Sequence, residues 1–290
     1  MLLLVAFFLL SPPAAERDTL YGFQPDKDSL SVPLPRAHAH NDYEHERPLL
    51  DALDHGFGSL EVDVHLVDGE LLVAHDADEV VPGRTLASLY LDPLRERIRQ
   101  GGGQVYPEID LSLILLIDIK TEGKATYLAL REVLRDYAEI LTAFTPTSVE
   151  PGAVTAIISG NRPRTLMEAE ELRYAAYDGR LSDLAEVTPS PPSFMPLVSS
   201  NWSAITAWQG EGALPDSART RLAETVVAAH EQGKILRFWA TADRPEVWDV
   251  LWEAGVDLLG ADDLSSLQAF LRARGLASAP RRGFLTGKGF

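Results

Sequence analysis

The chain has 290 residues, 46% of them hydrophobic, which is enough to bury one large core or two smaller ones. Its 26 basic and 43 acidic residues give a net charge of −17, which argues against nonspecific binding to nucleic acids or anionic membranes. The sequence contains no cysteine, so disulfides, thiolate metal ligands and a cysteine nucleophile are excluded.

An unbroken apolar run covers residues 2–10 at the start of the chain. The run is too short to cross a bilayer, but it has the length of the apolar core of a secretory signal. We therefore predict an exported bacterial protein with a signal peptide at 1–15, an N-terminal extension at 16–35, one domain at 36–275 and a C-terminal tail at 276–290. A mis-assigned start codon or a peripheral anchor would also produce this run.

From residue 36 onward, strand-like apolar segments alternate with segments of helical periodicity. The predicted strands are 36–40, 59–66, 113–119, 154–159, 173–177, 195–199, 235–240 and 256–260. The predicted helices are 46–55, 124–144, 163–172, 217–232, 245–254 and 264–274. Near-continuous apolar strands suit a parallel sheet covered by helices, and eight of them predict a single-domain (β/α)8 barrel. The fit is imperfect between the fifth and sixth strands, where no convincing long helix is indicated.

Three carboxylates fall on two of the predicted strands. Glu61 and Asp63 alternate with valines, so both share one face of the second strand. Asp118 lies near the end of the third strand, with Lys120 on the same face; by themselves these two would suggest a strand-end salt bridge. Neighbouring buried carboxylates repel each other, and an all-oxygen set predicts bound Mg²⁺ or Ca²⁺ rather than Zn²⁺.

Two histidines are candidates for proton transfer beside these carboxylates. His40 ends the first predicted strand, and His75 follows a strand that returns from a two-residue turn at Asp68-Gly69. Strict pairing across that turn would set His75 opposite Val62, so a bend or bulge is needed before it reaches the carboxylates. Two imidazoles that titrate near neutrality are suited to donating and accepting protons.

His38 and His40 also resemble the metal-ligand pair that opens metal-dependent amidohydrolase barrels. That alternative needs further histidines on later strands. Beyond His75 the sequence offers only His230, which lies in a helical segment. The amidohydrolase alternative therefore lacks its later ligands.

Motifs along nearly the whole chain resemble the glycerophosphodiester phosphodiesterase and phosphatidylinositol-specific phospholipase C-like superfamily. They are His40-Asn41, Glu61-x-Asp63, Asp68-Gly69, His75-Asp76, Ile117-Asp118-Ile119-Lys120, Trp239-x-Thr241 and Gly255-Val256-Asp257. The His-Asn-Asp-Tyr start departs from the usual His-Arg-Gly and resembles a poorly characterised bacterial and fungal branch. Asp118-x-Lys120 resembles the spider-venom sphingomyelinase D branch, which leaves the substrate open.

The resemblance implies a (β/α)8 barrel that splits phosphodiesters with one divalent cation, Mg²⁺ or Ca²⁺. It makes Glu61, Asp63 and Asp118 the metal ligands, His40 and His75 the acid–base pair, Lys120 a catalytic phosphate-contacting residue, and Asn41 and Trp239 substrate-binding residues. Attack by water and attack by a neighbouring hydroxyl of the substrate both remain open. So does a catalytically inactive barrel that only binds phosphate or lipid.

The expected partner is a small-molecule phosphodiester, with no nucleic acid, and the protein is expected to be a monomer. Membrane contact is not favoured, because the net charge is strongly negative. An apolar-rich stretch follows the sixth predicted strand and has two interpretations: it covers the barrel, or it contacts an acyl chain. Its members are Phe194, Met195, Trp202, Ile205 and Trp208.

Overall fold

Parallel strands form the wall of a barrel in the computed structural model, which describes residues 32–107 and 109–274. The strands of this part of the chain are β1 (Leu34–Ala39), β2 (Phe57–Val67), β3 (Glu70–Val73), β4 (Leu113–Ile119), β5 (Ala143–Phe144), β6 (Val149–Glu150), β7 (Val154–Gly160), β8 (Ala176–Gly179), β9 (Leu197–Asn201), β10 (Ile235–Trp239) and β11 (Leu259–Ala261). The wall follows the order β10-β9-β8-β7-β4-β2-β1-β11, and a bridge between Arg237 and Leu258 nearly closes it. The predicted single-domain (β/α)8 barrel is confirmed.

Helices cover the outside of this wall. They are α1 (Leu50–Asp54), α2 (Asp92–Gln100), α3 (Gly123–Arg135), α4 (Arg164–Glu168), α5 (Asp216–Glu231), α6 (Pro245–Ala254) and α7 (Leu264–Ala273). In α3, Tyr127, Leu130 and Leu134 recur at helical spacing and are buried, so one stripe of the helix packs inward. Within the described ranges, no helix combines the length and the apolar content that a membrane crossing requires.

Several predicted elements are shorter than their sequence pattern indicates, and backbone pairing with other segments explains two of them. The helix predicted at 124–144 stops at Arg135, since the backbone of Ile140 and Thr142 pairs with Val154 at the start of β7. The strand predicted at 173–177 begins at Ala176, because Arg173 exchanges both backbone hydrogen bonds with Phe144 of β5. In both places long-range pairing overrides local propensity.

The polarity of the barrel interior changes from one end to the other. A cluster of apolar side chains fills the end where the strands begin; its members are Ile114, Leu116, Phe144, Ile157, Ala176, Leu197, Ile235 and Leu258. Side chains two positions further along a strand point the same way. Asp118 follows Leu116 in this manner and Arg237 follows Ile235, so the carboxyl ends of the strands form a polar mouth.

The predicted hairpin after β2 is present and brings the chain back to this mouth. Asp68 and Gly69 both have positive φ, 50° and 86°, as a two-residue turn between antiparallel strands requires. Pairing between β2 and β3 runs from Val67–Glu70 to Val64–Val73 and stops there. The chain therefore stops pairing with β2 before His75. This departure is the bend that the sequence predicts for His75 to reach the carboxylates.

Candidate active site

The three predicted carboxylates come together at the mouth of the barrel. Asp63 on β2 and Asp118 on β4 are direct neighbours in the parallel register. One oxygen from each of Glu61, Asp63 and Asp118 lies within 4.8 Å of the others. Glu61 and Asp63 are only 7% and 0% exposed, so mutual repulsion is poorly screened by water.

Asp63 is the most tightly held of the three. Its Oδ2 accepts hydrogen bonds from the Tyr43 hydroxyl at 2.6 Å and from Lys120 Nζ at 3.0 Å. His75 Nδ1 lies 3.1 Å from the same oxygen. The other oxygen, Oδ1, is buried and has no hydrogen-bond partner among the described residues. Burial raises the pKa of Asp63.

A buried carboxylate oxygen without a partner is costly, and a cation would satisfy it. This orphaned oxygen belongs to a cluster whose donors are all carboxylates, the ligands that Mg²⁺ and Ca²⁺ prefer. The residues present therefore fit a hard divalent cation.

Lys120 joins two of the candidate metal ligands. Its ammonium lies 3.0 Å from Asp63 Oδ2 and 3.3 Å from Asp118 Oδ1. Burial alone would lower the pKa of Lys120, but Asp118 and Asp63 raise it, so the lysine stays charged. Burial raises the pKa of Asp118 to about 6. The strand-end salt bridge and the cluster are thus parts of one arrangement.

Glu61 is held by two buried basic side chains. Arg237 Nη2 donates to Glu61 Oε2 at 2.5 Å, and His38 Nε2 lies 3.4 Å from the same oxygen. Burial alone would raise the pKa of Glu61, but the Arg237 guanidinium holds it well below its usual range. His38 is fully buried, its Nδ1 contacts Ser59 Oγ at 2.8 Å, and burial lowers its pKa to about 3. His38 is therefore neutral and supports Glu61.

The amidohydrolase alternative finds no support in this geometry. His38 and His40 both approach Glu61 Oε2, at 3.4 and 4.0 Å, but neither belongs to the cluster of candidate metal ligands found among the described residues. His230 lies in α5, where its Nε2 is 2.8 Å from Asp257 Oδ2. The described part of the chain does not assemble the later histidines that such a site needs.

The two predicted catalytic histidines lie beside the carboxylate cluster, and each is held by a different set of partners. His40 Nδ1 lies 2.8 Å from Asp262 Oδ1, and its Nε2 lies 4.0 Å from Glu61 Oε2. Burial alone would lower the pKa of His40, but the hydrogen bond with Asp262 raises it. His75 Nδ1 contacts both Asp63 and the Tyr43 hydroxyl at 3.1 Å. Since each Nδ1 is engaged, the Nε2 atoms are left for proton transfer.

Asn41 and Trp239, predicted to bind substrate, differ in their contacts at the mouth of the barrel. Asn41 adopts a left-handed conformation with φ 44°, and its Oδ1 accepts from the Tyr43 hydroxyl at 3.2 Å. Trp239 is 39% exposed and lines a cleft of about 80 Å³ together with His40 and Asp262. Trp239 is therefore a mouth residue rather than a core residue, and Asn41 supports Tyr43.

The apolar-rich stretch after the sixth predicted strand belongs to the core. Four of its five members are no more than 6% exposed, namely Phe194, Met195, Trp202 and Ile205. Trp208 packs against them and donates its indole N–H to backbone carbonyl groups. The interpretation that these residues cover the barrel agrees with this packing.

Three residues of the site are not among those predicted from the sequence. Tyr43 contacts Asp63 and His75, Arg237 contacts Glu61, and Asp262 contacts His40. Arg237 could have been identified from the sequence, because it is a charged residue within an otherwise apolar buried strand, where only a paired charge is stable. Asp262 stands directly after the last strand, where a barrel places site residues.

Solved structures with a similar course of the chain include two phosphodiester-cleaving enzymes. A glycerophosphodiester phosphodiesterase from Parabacteroides distasonis superimposes with a TM-score of 0.49 and 17% identity, covering 83% of this chain and 98% of that one. A phosphatidylinositol-specific phospholipase C from Listeria monocytogenes gives 0.46 and 8%, covering 84% and 94%. Similarity at this level does not transfer an activity.

Curated relatives come from fungi. The Altered inheritance of mitochondria protein 6 homolog of Arthroderma benhamiae is 28% identical over 284 residues, covering 88% of this chain and 89% of that protein. Altered inheritance of mitochondria protein 6 of Eremothecium gossypii is 30% identical over 278 residues, covering 82% and 69%.

The prediction of an exported bacterial protein is wrong, because these relatives are fungal proteins named for mitochondrial inheritance. An apolar run of nine residues indicates a preference for a nonpolar environment, but it identifies neither the organism nor the membrane. The predicted signal peptide at 1–15, most of the extension at 16–35 and the tail at 276–290 lie outside the described residues.

The family assignment rests on a direct match. The sequence profile of the AIM6-like phosphodiesterase domain matches residues 28–178, just over half of the chain. That segment carries His40, His75, Lys120 and the carboxylate cluster described above. The chain therefore belongs to the AIM6-like phosphodiesterase domain family.

Proposed function

We propose that the protein is a divalent-cation-dependent phosphodiesterase that uses His40 and His75 for acid–base catalysis. The observation that carries the proposal is the buried, unpartnered Oδ1 of Asp63 within a three-carboxylate cluster. The two histidines contact this cluster or lie beside it. Membership of a phosphodiesterase-domain family supports the same reaction class.

The cation, Mg²⁺ or Ca²⁺, would be held by Glu61, Asp63 and Asp118 and would supply neutralisation of charge on the phosphate. Lys120 bridges two of these ligands and fixes their spacing. Its side chain is 28% exposed, so the ammonium is also accessible to a phosphate oxygen. We assign Lys120 to both tasks.

His40 is oriented to accept a proton through its Nε2. Its Nδ1–H donates to Asp262, which orients the ring and raises the pKa of the imidazole. We assign His40 as general base toward the nucleophile and His75 as general acid toward the leaving oxygen. Tyr43 and Asp63 hold His75 through Nδ1. The nucleophile is either water or a neighbouring hydroxyl of the substrate.

We propose small glycerophosphodiesters or detached phospholipid headgroups as the substrate class, acted on by a monomer that binds no nucleic acid. The net charge of −17 disfavours approach to anionic surfaces, and the cleft beside His40 is only about 80 Å³. Trp239 forms one wall of this cleft and provides a surface for the leaving group.

The test is turnover of a phosphodiester panel by the purified protein with Mg²⁺ or Ca²⁺ and then with EDTA. We expect activity that the chelator removes. His40→Ala and His75→Ala should each lower kcat by roughly 10²–10⁴-fold with cation binding retained. His230→Ala is the matched control, since His230 also pairs with an aspartate but lies in α5. Phosphorus NMR of the product separates a cyclic from an open phosphate.

Chelator-resistant turnover, or a His75→Ala variant with near-normal kcat, would contradict this mechanism. Saturable binding of glycerophosphodiesters without any product after prolonged incubation would instead favour the catalytically inactive barrel. A barrel that only binds has no need of two histidines with engaged Nδ1 atoms, and this observation favours the enzyme.

A further inference from the structure

Arg237 occupies an unusual position for a residue beside a cation site. Its side chain is 2% exposed, and its Nη2 lies 2.5 Å from Glu61 Oε2. The Nε of the same guanidinium is buried and has no hydrogen-bond partner among the described residues. The positive charge is thus fixed next to one of the three candidate cation ligands.

Two positive groups cannot both neutralise one carboxylate at full strength. Poorly hydrated charges a few ångströms apart interact strongly even at an effective dielectric constant of about 20. A cation bound to Glu61 would therefore be repelled by the Arg237 guanidinium. Conversely, a cation-free site without Arg237 would leave the buried Glu61 carboxylate beside the neutral His38 but without a countercharge, which is strongly destabilising.

His38 helps to fix the orientation of Glu61 between Arg237 and the proposed cation site. It is neutral, and with Ser59 hydrogen-bonded to Nδ1, its Nε2–H points at Glu61 Oε2. Arg237 contacts the same oxygen. These two side chains therefore fix Glu61 Oε2, and one Glu61 oxygen lies within 4.8 Å of oxygens of Asp63 and Asp118.

We propose that Arg237 is a built-in competitor of the divalent cation for Glu61, which stabilises the cation-free barrel and keeps cation affinity below that of three unpaired carboxylates. This inference rests on the proposed cation site. Arg237 acts through Glu61 and is a positioning residue in this scheme, with His38 fixing the shared oxygen. Its effect is on the affinity and exchange of the cation.

The test is titration calorimetry with MgCl₂ and with CaCl₂ on the full-length protein. Arg237→Met should bind cation on the order of 10- to 100-fold more tightly than the native protein, because the guanidinium charge that repels a cation at Glu61 is removed. Arg237→Lys keeps the charge and should stay within a few-fold of native affinity. Thermal unfolding with cation and with chelator gives a second readout, in which the rise in Tm on adding cation should be larger for Arg237→Met.

Arg180→Met is the matched control. Arg180 also pairs with a buried carboxylate, Asp178 at 2.6 Å, but it does not contact Glu61. Its removal should change cation affinity much less than Arg237→Met does. The Tm readout also covers the case in which Arg237→Met folds only with cation present, an outcome that supports the proposal.

Native binding of Mg²⁺ or Ca²⁺ that Arg237→Met leaves unchanged or weakens would overturn this inference alone. An equal gain in affinity from Arg180→Met would overturn it as well, since the effect would then be one of overall charge. If neither the native protein nor Arg237→Met binds either cation, both this inference and the cation dependence of the proposed function are wrong.

Discussion

Asp42 is a buried carboxyl whose titration should be visible in the stability of the folded protein. It belongs to the His-Asn-Asp-Tyr motif and is not a member of the carboxylate cluster. Its Oδ2 accepts from the backbone N–H of Leu49 at 2.6 Å and from the Tyr90 hydroxyl at 2.9 Å, whereas Oδ1 has no partner among the described residues. Leu49 has a positive φ of 66°, so this contact also secures a strained backbone.

Burial raises the pKa of Asp42 from 3.8 to about 6, although its two hydrogen bonds oppose the shift. A raised folded-state pKa contributes stability that is complete below the unfolded-state pKa and is lost as pH rises through the folded-state pKa. The difference corresponds to about 3 kcal/mol of unfolding free energy in total. Roughly half of it, about 1.5 kcal/mol, is lost between about pH 5 and pH 8.

Asp42→Asn removes this titration and keeps an oxygen that accepts from Leu49 and Tyr90. The free energy of unfolding of the variant, minus that of the native protein, should therefore rise by about 1.5 kcal/mol from about pH 5 to pH 8. Urea unfolding followed by circular dichroism, at constant ionic strength and with chelator present, measures this difference. A difference that stays constant with pH, or one that falls, would refute the reasoning.

Three further predictions concern the mouth of the barrel. Asp262→Asn should lower kcat by about tenfold or more with little change in KM. It should also move the pKa seen in the pH–rate profile downward, because Asp262 raises the pKa of His40. An unshifted profile would contradict the pairing of His40 with Asp262. Gly160→Ala would place a methyl group against the Asp118 carboxylate at a positive φ of 65°, so weaker cation binding by calorimetry and a loss of about 1–3 kcal/mol in stability are expected. Native-like affinity in that variant would show that Asp118 is not a cation ligand. Trp239→Ala should raise KM more than it lowers kcat, because the side chain lines the cleft without touching the carboxylates; an equal loss in both kcat and kcat/KM would instead assign Trp239 to the transition state.

The sequence by itself determined the barrel and the strand positions of its acidic residues. Period-two alternation put Glu61 and Asp63 on one face, and continuous apolar runs such as β4 indicated a parallel wall covered by helices. The Asp68-Gly69 turn, with two positive φ angles, required the hairpin that returns His75 to β2. These features follow from local geometry, so a single chain segment is enough to specify them.

Only the tertiary structure decided which side chains share an atom at the mouth. Arg237 reaches Glu61 from 176 residues away, and Asp262 reaches His40 from 222. Neither spacing carries a local signal, because parallel strands bring distant residues together through the order of the wall. Backbone pairing also ended α3 at Arg135, since Ile140 and Thr142 pair with Val154 at the start of β7. These hydrogen bonds outweigh the helical periodicity there, and the periodicity of the segment gives no sign of them.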